Sequence, residues 1–470
     1  SKTSLLRSPE EVSRLRKIWN VIINEYIKIF AKISTKIMLI CIVLLAVLWN
    51  VGMYFSSRNN SYSPESYELD FDARISEYSG VDETRADMYR FMKEIGIESL
   101  EDWRYNAIND ITYELEDKQA PSGQEQKSTV SEWYKKAIRN NDYKEYIKLR
   151  MKYISGNNAL TSEERELKLG SLQYLLDHDI PPSYSDYRYQ KLRNLETNKI
   201  DLARQEQMPL DSQDKKTITK LRNDIAIDEY TLERNIETYM VPDDGDNYFD
   251  MNGFLPVFSN STMLIMVINV LIIIVAGSII STEFSSGTIK FLLINPIKRW
   301  KILVAKYLAV LTVGIIMLVI YYVFNLLLAG IFFGFGDMGA PLLSVVNGKV
   351  HAGSSLLYVA WKYILGSLGV LTMATFAFAV SSLVRNSALA IGLGTFLLLS
   401  GYGAVFILAS GLHWDWARYI LFANTDINMI INNQTPFLGH TVGFALIVTA
   451  VYMVVFLLTA WDAFVRRDVK

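Results

Sequence analysis

The sequence predicts an all-α polytopic membrane protein. Half of its 470 residues are hydrophobic, and its net charge is only −2. Six segments of about 20 residues are almost free of charge, which is the length that a helix needs to cross a bilayer. Charge is also divided unevenly along the chain. We therefore expect six transmembrane helices, an N-terminal interfacial amphipathic helix, and a large, mostly α-helical extracellular domain between spans one and two.

The six predicted spans are residues 37–55, 261–281, 308–333, 363–383, 388–408 and 442–461. The third is long enough to need tilt. No cleavage site with small residues follows the first span, so we expect it to be retained rather than removed as a signal peptide. The single cysteine, Cys41, lies in this span and leaves no partner for an intrachain disulfide.

The charge distribution predicts that both termini are cytoplasmic. Residues 1–36 hold eight Lys and Arg against three Asp and Glu, and residues 281–306 hold five against one. Short loops rich in Lys and Arg stay inside, whereas long loops cross largely regardless of charge. Residues 56–258 hold 27 basic and 40 acidic residues. We expect an extracellular domain at 56–258, spans two to six within 259–461, and a cytoplasmic tail at 462–470.

The N-terminal segment predicts an amphipathic helix along the inner leaflet. Apolar side chains fall on one helical face of residues 17–33, and the lysines lie mostly away from it. The side chains assigned to this helix are Trp19, Glu25, Tyr26 and Phe30. A soluble helix that packs on a partner protein is the alternative.

The predicted extracellular domain contains helical patterns separated by turns. Thr161 and Glu164 have the spacing of a capping box at a helix start. Residues 215–240 repeat apolar side chains from Ile218 to Tyr239 at the spacing of a second helix. The segment is too rich in Tyr, Ile and Leu to be wholly disordered, so we expect a folded domain.

The chain lacks the common catalytic and nucleotide-binding motifs. It contains no G-x-x-x-x-G-K-[ST], no H-E-x-x-H and no G-x-S-x-G. The interiors of the predicted spans offer only Asn50, Asn269, Asn325 and hydroxyl groups, which disfavours transport driven by an ion gradient. We expect no enzymatic activity, metal site, bound cofactor or nucleic-acid partner in this chain, and an energy source in a partner protein.

The basic segment at residues 281–306 has the features of a short helix that another protein grips. Gly287 and Thr288 favour a turn and a helix cap. Residues 289–294 provide an apolar face, and Pro296 ends the helix. Anchoring of the basic side chains in anionic headgroups is the alternative. These residues alone favour neither interpretation.

The same segment resembles the ATP-binding-cassette (ABC) exporter permeases of the ABC type-two family. The residues that carry the resemblance are Glu283, Gly287, Thr288, Leu292, Leu293, Pro296, Arg299 and Lys306. Residues 24–36, 381–391, 416–427 and 463–468 are similar to further segments of that family, in the same order. The 203-residue insertion after the first span departs from compact members. It is similar to Gram-positive peptide, bacteriocin-resistance and ion-efflux systems with a large first outer loop.

The resemblance implies a plasma-membrane permease subunit whose coupling helix, around residues 284–296, docks on a separate ATPase. The implied coupling residues are Glu283, Gly287, Thr288, Lys290, Phe291, Leu292, Pro296, Arg299 and Lys306. Two ATPase copies would use ATP and Mg²⁺, which this chain itself would not bind. The chain would pair with a second copy of itself or with a related permease, in a Gram-positive bacterium.

Polar and aromatic residues near the predicted spans suggest a pathway. Asn269 and Asn325 are the polar candidates for translocation, with hydrogen bonding between helices as the alternative. Trp414, Trp416 and Tyr419 predict an aromatic belt at the outer leaflet, or an outer gate for an amphipathic substrate.

The substrate class stays open. The acidic charge of residues 56–258 suits cationic molecules such as antimicrobial peptides, but an acidic surface is also simply soluble. Small hydrophobic drugs, ions and lipid-linked wall precursors are the other classes. A membrane sensor or signalling scaffold that binds a ligand without transport is the competing function. It would need an output domain, and the predicted cytoplasmic loops are short.

Overall fold

A computed structural model describes residues 9–60, 69–116, 124–158, 160–209, 214–242, 253–288, 298–431, 435–437 and 439–466. The chain divides into two compact units. The span unit comprises Ser1–Ser57, Pro242–Ala340 and Ser354–Lys470, and the insert unit comprises Arg58–Val241 and Pro341–Gly353.

The described secondary structure is mostly helical. In chain order the elements are α1 (Pro9–Ala31), α2 (Ile33–Asn60), α3 (Phe71–Tyr78), α4 (Glu83–Glu94), α5 (Trp103–Glu116), α6 (Gln124–Arg139), α7 (Tyr143–Gly156), α8 (Ser162–Asp177), α9 (Tyr187–Gln207), α10 (Lys215–Arg234), α11 (Phe254–Asn260), α12 (Ile265–Ser278), α13 (Ser281–Ser285), α14 (Arg299–Phe333), β1 (Pro341–Val346), β2 (Lys349–Ser354), α15 (Ser355–Val384), α16 (Ser387–Phe406), α17 (Ile427–Ile431) and α18 (Val442–Trp461).

Six helical segments among the described residues are long and apolar enough to cross a membrane. They are Ile33–Arg58, Phe254–Ser285, Arg299–Phe333, Ser355–Val384, Ser387–Gly411 and Val442–Arg466, called spans one to six below. The prediction of six apolar spans is confirmed, and every helix extends beyond its predicted limits. Ser354, Asn386 and Thr441 cap the starts of spans four, five and six through side-chain oxygens that accept backbone N–H groups.

Because the helices are longer than predicted, two lysines outside the predicted spans lie within the observed apolar helices. Lys306 lies in span three and Lys362 in span four, and both are buried. The Nζ atom of Lys362 donates a hydrogen bond to the hydroxyl of Ser259, 3.0 Å away. The predicted fourth span begins at Tyr363, one residue after this lysine.

Span four is the central helix of the span unit, and spans one, five and six have the most exposed faces. The segment after span five folds back against spans four and five. Glycines permit this contact, since a Cβ at Gly369 would lie 2.5 Å from the carbonyl oxygen of Thr425. A Cβ at Gly401 would lie 2.3 Å from the ring of Phe422. Both approaches are too close for any larger residue.

The insert unit has its own hydrophobic core. Met92, Ile147 and Ile180 are fully enclosed in it, among residues of α3 to α10. The capping box predicted at Thr161 and Glu164 is confirmed, with both reciprocal hydrogen bonds at 3.1 Å. The hydrophobic core and the capped helix starts explain why this segment folds rather than remaining disordered.

The predicted second helix of the insert unit ends earlier than its apolar pattern. α10 ends at Arg234, because Asn235 adopts a left-handed conformation with φ of 53°. The chain then continues without helix to Met240, which makes an isolated parallel bridge with Leu342. The prediction of a helix as far as Tyr239 is wrong for these last residues.

A β-hairpin completes the insert unit and was not predicted by the all-α assignment. β1 and β2 are joined by Asn347 and Gly348, both with positive φ, 52° and 75°. Such a two-residue turn matches the twist of a hairpin. The backbone of Met240 exchanges hydrogen bonds of 2.9 and 2.7 Å with Pro341 and Leu343. The segment between spans three and four thus belongs to the same compact unit as the large insertion.

Candidate functional site

Four charged side chains of the span unit form a compact ionic cluster. The Nζ atom of Lys306 donates to Glu25 Oε2 at 2.8 Å and to Glu283 Oε1 at 2.6 Å. Lys28 Nζ lies 3.3 Å from Glu25 Oε1 and 3.6 Å from Glu283 Oε1. We call Glu25, Lys28, Glu283 and Lys306 the four-residue cluster; its two acids and two bases balance in charge.

The cluster joins three separate segments of the chain. Glu25 and Lys28 lie one turn apart on α1, Glu283 lies on α13 at the end of span two, and Lys306 lies on α14. Residues 286–298, which connect α13 to α14, therefore leave from one side of the cluster and return to it.

Burial makes the loss of any one partner of the cluster costly. The side chain of Lys306 is 1% exposed and that of Glu25 is 5% exposed. A buried ion pair offsets its own desolvation only if its geometry is good, and removal of one partner leaves an uncompensated buried charge. Lys28 lies at the exposed edge; burial opposes its charged form, but Glu25 and Glu283 outweigh that effect and raise its pKa. Glu25 and Lys306 are thus shielded from solvent at the centre of the cluster.

The first helix packs against span three and also keeps an exposed apolar face. Ile22 and Ile29 are buried, whereas Trp19, Ile23 and Ile27 are exposed. Tyr26 and Phe30 are half-buried. An exposed apolar stripe next to a set of apolar spans is typical of a helix at a membrane interface. The interfacial position of this helix remains a prediction.

The turn predicted after span two is present. Gly287 has φ of 71°, a conformation in which any Cβ is strained, and no other atom lies near the position that its Cβ would take. The hydroxyl of Thr288 lies 2.9 Å from that of Ser286 and 3.5 Å from the carbonyl oxygen of Glu283. Gly287 therefore sets the direction in which the chain leaves the cluster.

Several predicted coupling residues lie outside the described residues: Lys290, Phe291, Leu292 and Pro296. The chain is described again from Lys298, and Arg299 is the first residue of α14. Of the coupling residues predicted within the described part of the chain, the structure brings Glu283, Gly287, Thr288 and Lys306 into one region.

The turn between spans four and five lies beside this region. Arg385 has φ of 58°, and its guanidinium carbon lies 4.4 Å from the centre of the Phe284 ring. Its Nε and one terminal nitrogen are buried without a hydrogen-bond partner in the described structure. Two positively charged turns predicted on the same face of the membrane thus meet at α13.

The polar residues proposed for a pathway separate into two kinds. Asn325 is fully buried, and its Oδ1 accepts a 3.0 Å hydrogen bond from Asn50, which joins spans three and one. This contact favours helix-to-helix bonding over a pathway role for Asn325. Asn269 is also buried, and its Oδ1 has no hydrogen-bond partner among the residues that the structure describes. Asn269 therefore keeps an unused acceptor.

The aromatic residues of the predicted outer segment are exposed. The rings of Trp414 and Trp416 stack with centroids 5.8 Å apart, and Tyr419 is exposed beside them. Tyr452 of span six donates to the backbone oxygen of Tyr419 at 3.2 Å. The surface suits an interface between water and lipid, since these rings combine apolar bodies with polar atoms.

Comparison with known proteins places the chain in a family. Residues 236–470 match the family model described as "Protein of unknown function (DUF2705)". The chain belongs to this family. The matched region begins just before spans two to six and leaves most of the insert unit outside it. The family description assigns no activity.

Two relatives come from Bacillus subtilis (strain 168). "Uncharacterized protein YhcI" is 35% identical over 247 residues, which cover 52% of this chain and 75% of the relative. "Uncharacterized membrane protein YdbK" is 32% identical over 219 residues, which cover 46% of this chain and 84% of the relative. No solved structure matches. Together with the six apolar spans, the second relative supports a membrane location for this chain.

Proposed function

We propose that this chain is the transmembrane permease subunit of an ABC exporter. A separate ATPase subunit binds the 281–306 segment, and its hydrolysis of ATP drives export. The observation that carries the proposal is the four-residue cluster, which fastens both ends of that segment to α1. A segment that receives force from a partner must be held rigidly at its base, and buried ion pairs supply such a hold.

The charge distribution supports the orientation. The segments that include the cluster are rich in basic residues, and the turn between spans four and five holds Arg385 and no acid, which favours the cytoplasmic face for both. The β-hairpin between spans three and four belongs to the same unit as the acidic insertion. With six spans, both of those segments fall on the opposite face, and this agrees with an extracellular insert unit.

In the proposed cycle, the spans move as rigid helices. Closure of two ATPase subunits displaces the coupling segment, and Lys306 transfers that displacement to span three through contacts shorter than 3 Å. Glu25 transfers it to α1. The spans then change between inward-open and outward-open arrangements. Two permease copies line the pathway, and the exposed faces of spans one, five and six provide surface for a second copy or for lipid.

The substrate in this proposal is a cationic or amphipathic molecule, with antimicrobial peptides as the first class to test. The acidic surface of the insert unit would raise the local concentration of cations. The exposed rings of Trp414, Trp416 and Tyr419 would contact the apolar part of such a molecule near the outer leaflet.

Co-purification from the native membrane tests the proposal. The wild-type chain should bring down an ATPase subunit and ATP turnover. Gly287→Val should lose most of both, because a β-branched residue is strained at φ of 71° and redirects the coupling segment. Gly96→Val is the matched control, since Gly96 has φ of 67°, no nearby atom and a position in the insert unit.

The control variant should keep the ATPase. If wild-type chain brings down no ATPase in gentle detergent, the proposal is wrong and a sensor that binds a ligand through the insert unit becomes the better explanation. If both glycine variants lose the ATPase equally, the effect is general instability rather than a lost docking segment.

A further inference from the structure

Two tryptophans meet where spans three and six end on the same side of the span unit. Trp300 is the second residue of α14, and Trp461 is the last residue of α18. Their ring centroids lie 6.3 Å apart, and both rings are exposed. The apolar run of span three begins at Ile302, and that of span six ends at Trp461. Because tryptophan favours the boundary between hydrocarbon and headgroups, this contact sets the ends of both spans at one membrane level.

Two lysines lie beside the tryptophan pair. The Nζ atom of Lys301 lies 5.7 Å from the centre of the Trp300 ring, within the range of a cation–π contact. Lys298 lies one turn earlier, and its carbonyl oxygen accepts a 2.9 Å hydrogen bond from the backbone N–H of Lys301. Neither ammonium group is paired with a carboxylate in the part of the chain that the structure describes. Each therefore keeps its N–H donors for another acceptor.

The charges around the tryptophans leave a positive surplus. Arg299 adds a further cation between the two lysines. Asp462 follows Trp461 and lies 3.5 Å from Arg466. Residues 298–301 and 461–466 together hold four cations and one carboxylate, and that carboxylate already has its own cation. The surface at the ends of these two spans thus suits a negatively charged ligand.

We propose that Trp300, Trp461, Lys298 and Lys301 bind the headgroup of one anionic phospholipid. The two ammonium groups contact the phosphate, and the two rings pack against the glycerol and the first carbons of the acyl chains. Basic side chains next to a span attract anionic lipid, and lysine reaches the headgroups from an apolar stem. A carboxylate of a partner protein would also satisfy the lysines, but it gives no reason for two exposed tryptophans at the apolar boundary.

This lipid site lies at the far end of the segment that we propose for ATPase docking. A lipid bound at residues 298–301 holds that end of the segment at the membrane surface and leaves the part nearer Gly287 to the partner protein. The inference does not depend on export, because lipid binding is measured on this chain alone.

Native mass spectrometry of the full-length chain, released from a nonionic detergent, tests the site. Phosphatidylglycerol and phosphatidylcholine with the same acyl chains are titrated separately, and the affinity for the first bound lipid is compared. Each lysine near an anionic lipid surface contributes about a fivefold gain in affinity. With two lysines, the first phosphatidylglycerol should therefore bind about 25 times more tightly than phosphatidylcholine.

Two double variants separate this site from general attraction of anionic lipid. Lys298→Gln, Lys301→Gln should bind both lipids alike, and it should fold because neither lysine is buried. Lys301→Gln alone should lower the preference about fivefold. Lys32→Gln, Lys36→Gln is the matched control, since it removes the same charge from two exposed lysines beside the start of span one. It should keep the preference for phosphatidylglycerol.

The proposal is overturned if the wild-type chain binds the two lipids with equal affinity, or if the control pair removes the preference completely. It is also overturned if the variant at positions 298 and 301 keeps the preference for phosphatidylglycerol. Loss of a co-purified ATPase from that variant, with its lipid preference unchanged, would assign the two lysines to the ATPase instead. A chain that prefers phosphatidylglycerol but brings down no ATPase would contradict the proposed function and leave the lipid site standing.

Discussion

At the residue scale, Lys306 holds the candidate site together, because it bonds to carboxylates of two other segments. It is almost fully buried and contacts two carboxylates from different segments. Lys306→Gln should destabilise the chain by about 3–5 kcal/mol, because it removes the buried cation of two carboxylates and leaves only the more exposed Lys28 beside them. Unfolding in a denaturing detergent titration would measure this.

The matched control for that change is Lys298→Gln, at the exposed residue just before α14. It should alter stability by less than about 0.5 kcal/mol. The double variant Glu25→Gln, Lys306→Gln should recover part of the loss, since fewer charges then remain unpaired. Equal stability of the two single lysine variants would contradict the structural role of the cluster.

The bond between Asn50 and Asn325 allows a quantitative test of helix pairing. A double-mutant cycle with Asn50→Leu and Asn325→Leu should give a coupling energy of about 0.6–1.7 kcal/mol, as for hydrogen bonds between membrane helices. Transport should survive the double change if Asn325 has no pathway role. A coupling energy near zero would show that the two amides do not bond in the membrane.

Glu164 gives the insert unit a specific dependence on pH. A hydrogen bond from the backbone of Thr161, together with Arg204, lowers its pKa below the ordinary 4.5. The stability it contributes is therefore present above about pH 4.5 and is lost as pH falls through the lower folded value. Glu164→Gln should lower the free energy of unfolding by about 1 kcal/mol at neutral pH. It should also flatten the acid limb of the stability curve, which is the fall in the free energy of unfolding between neutral and acid pH.

The neighbouring change Glu163→Gln serves as the control for the pH measurement. Glu163 lies in the same first turn but is not the residue that closes the capping box. It should leave the acid limb close to wild type. If Glu163→Gln and Glu164→Gln flatten the curve equally, the capping box does not cause the pH dependence.

At the element scale, the hairpin shows how a segment between two spans becomes part of the insert unit. Gly348 lies in its turn at φ of 75°, so Gly348→Val should destabilise the insert unit by about 1–2 kcal/mol. Gly353→Val in the same hairpin has normal φ and its nearest added contact is 3.9 Å. It should be tolerated, and proteolysis of the insert unit would compare the two.

Faster proteolysis of Gly348→Val alone is the expected outcome. Equal resistance of the two variants would mean that the hairpin does not stabilise the insert unit. The chain runs directly from β2 into span four.

Local patterns predict elements better than they predict contacts. The spans follow from long runs without charge, and the capping box follows from two residues three positions apart. The hairpin had a local signal as well, since Asn347-Gly348 favours this turn. Its partner, Met240, could not be inferred, because the two segments are about a hundred positions apart in the chain.

In the candidate site, too, the sequence predicted the segments but not the contacts between them. Glu25, Glu283 and Lys306 were each assigned to a functional segment, but their mutual contacts were not predicted. Lys306 and Glu25 are separated by 281 positions, and helical spacing shows which face a side chain occupies, not what it meets. Lys362 was placed just outside its span, because charge-free runs underestimate helices that contain a buried, hydrogen-bonded lysine.

At the scale of the whole molecule, the chain combines a span unit that holds a buried charge cluster with an insert unit that has its own hydrophobic core. The family match covers the span unit almost alone. We propose that an ATPase docks on the 281–306 segment of the span unit.

Site-specific crosslinking tests that claim most directly. Replacement of the single cysteine by Cys41→Ser allows one new thiol to be placed at an exposed serine, either Ser286 beside the segment or Ser155 in the insert unit. We expect Ser286→Cys to crosslink in native membranes to a protein with nucleotide-binding motifs, and Ser155→Cys not to do so. Crosslinks from position 286 to lipid alone, or labelling of that position by an impermeant reagent from outside the cell, would contradict it.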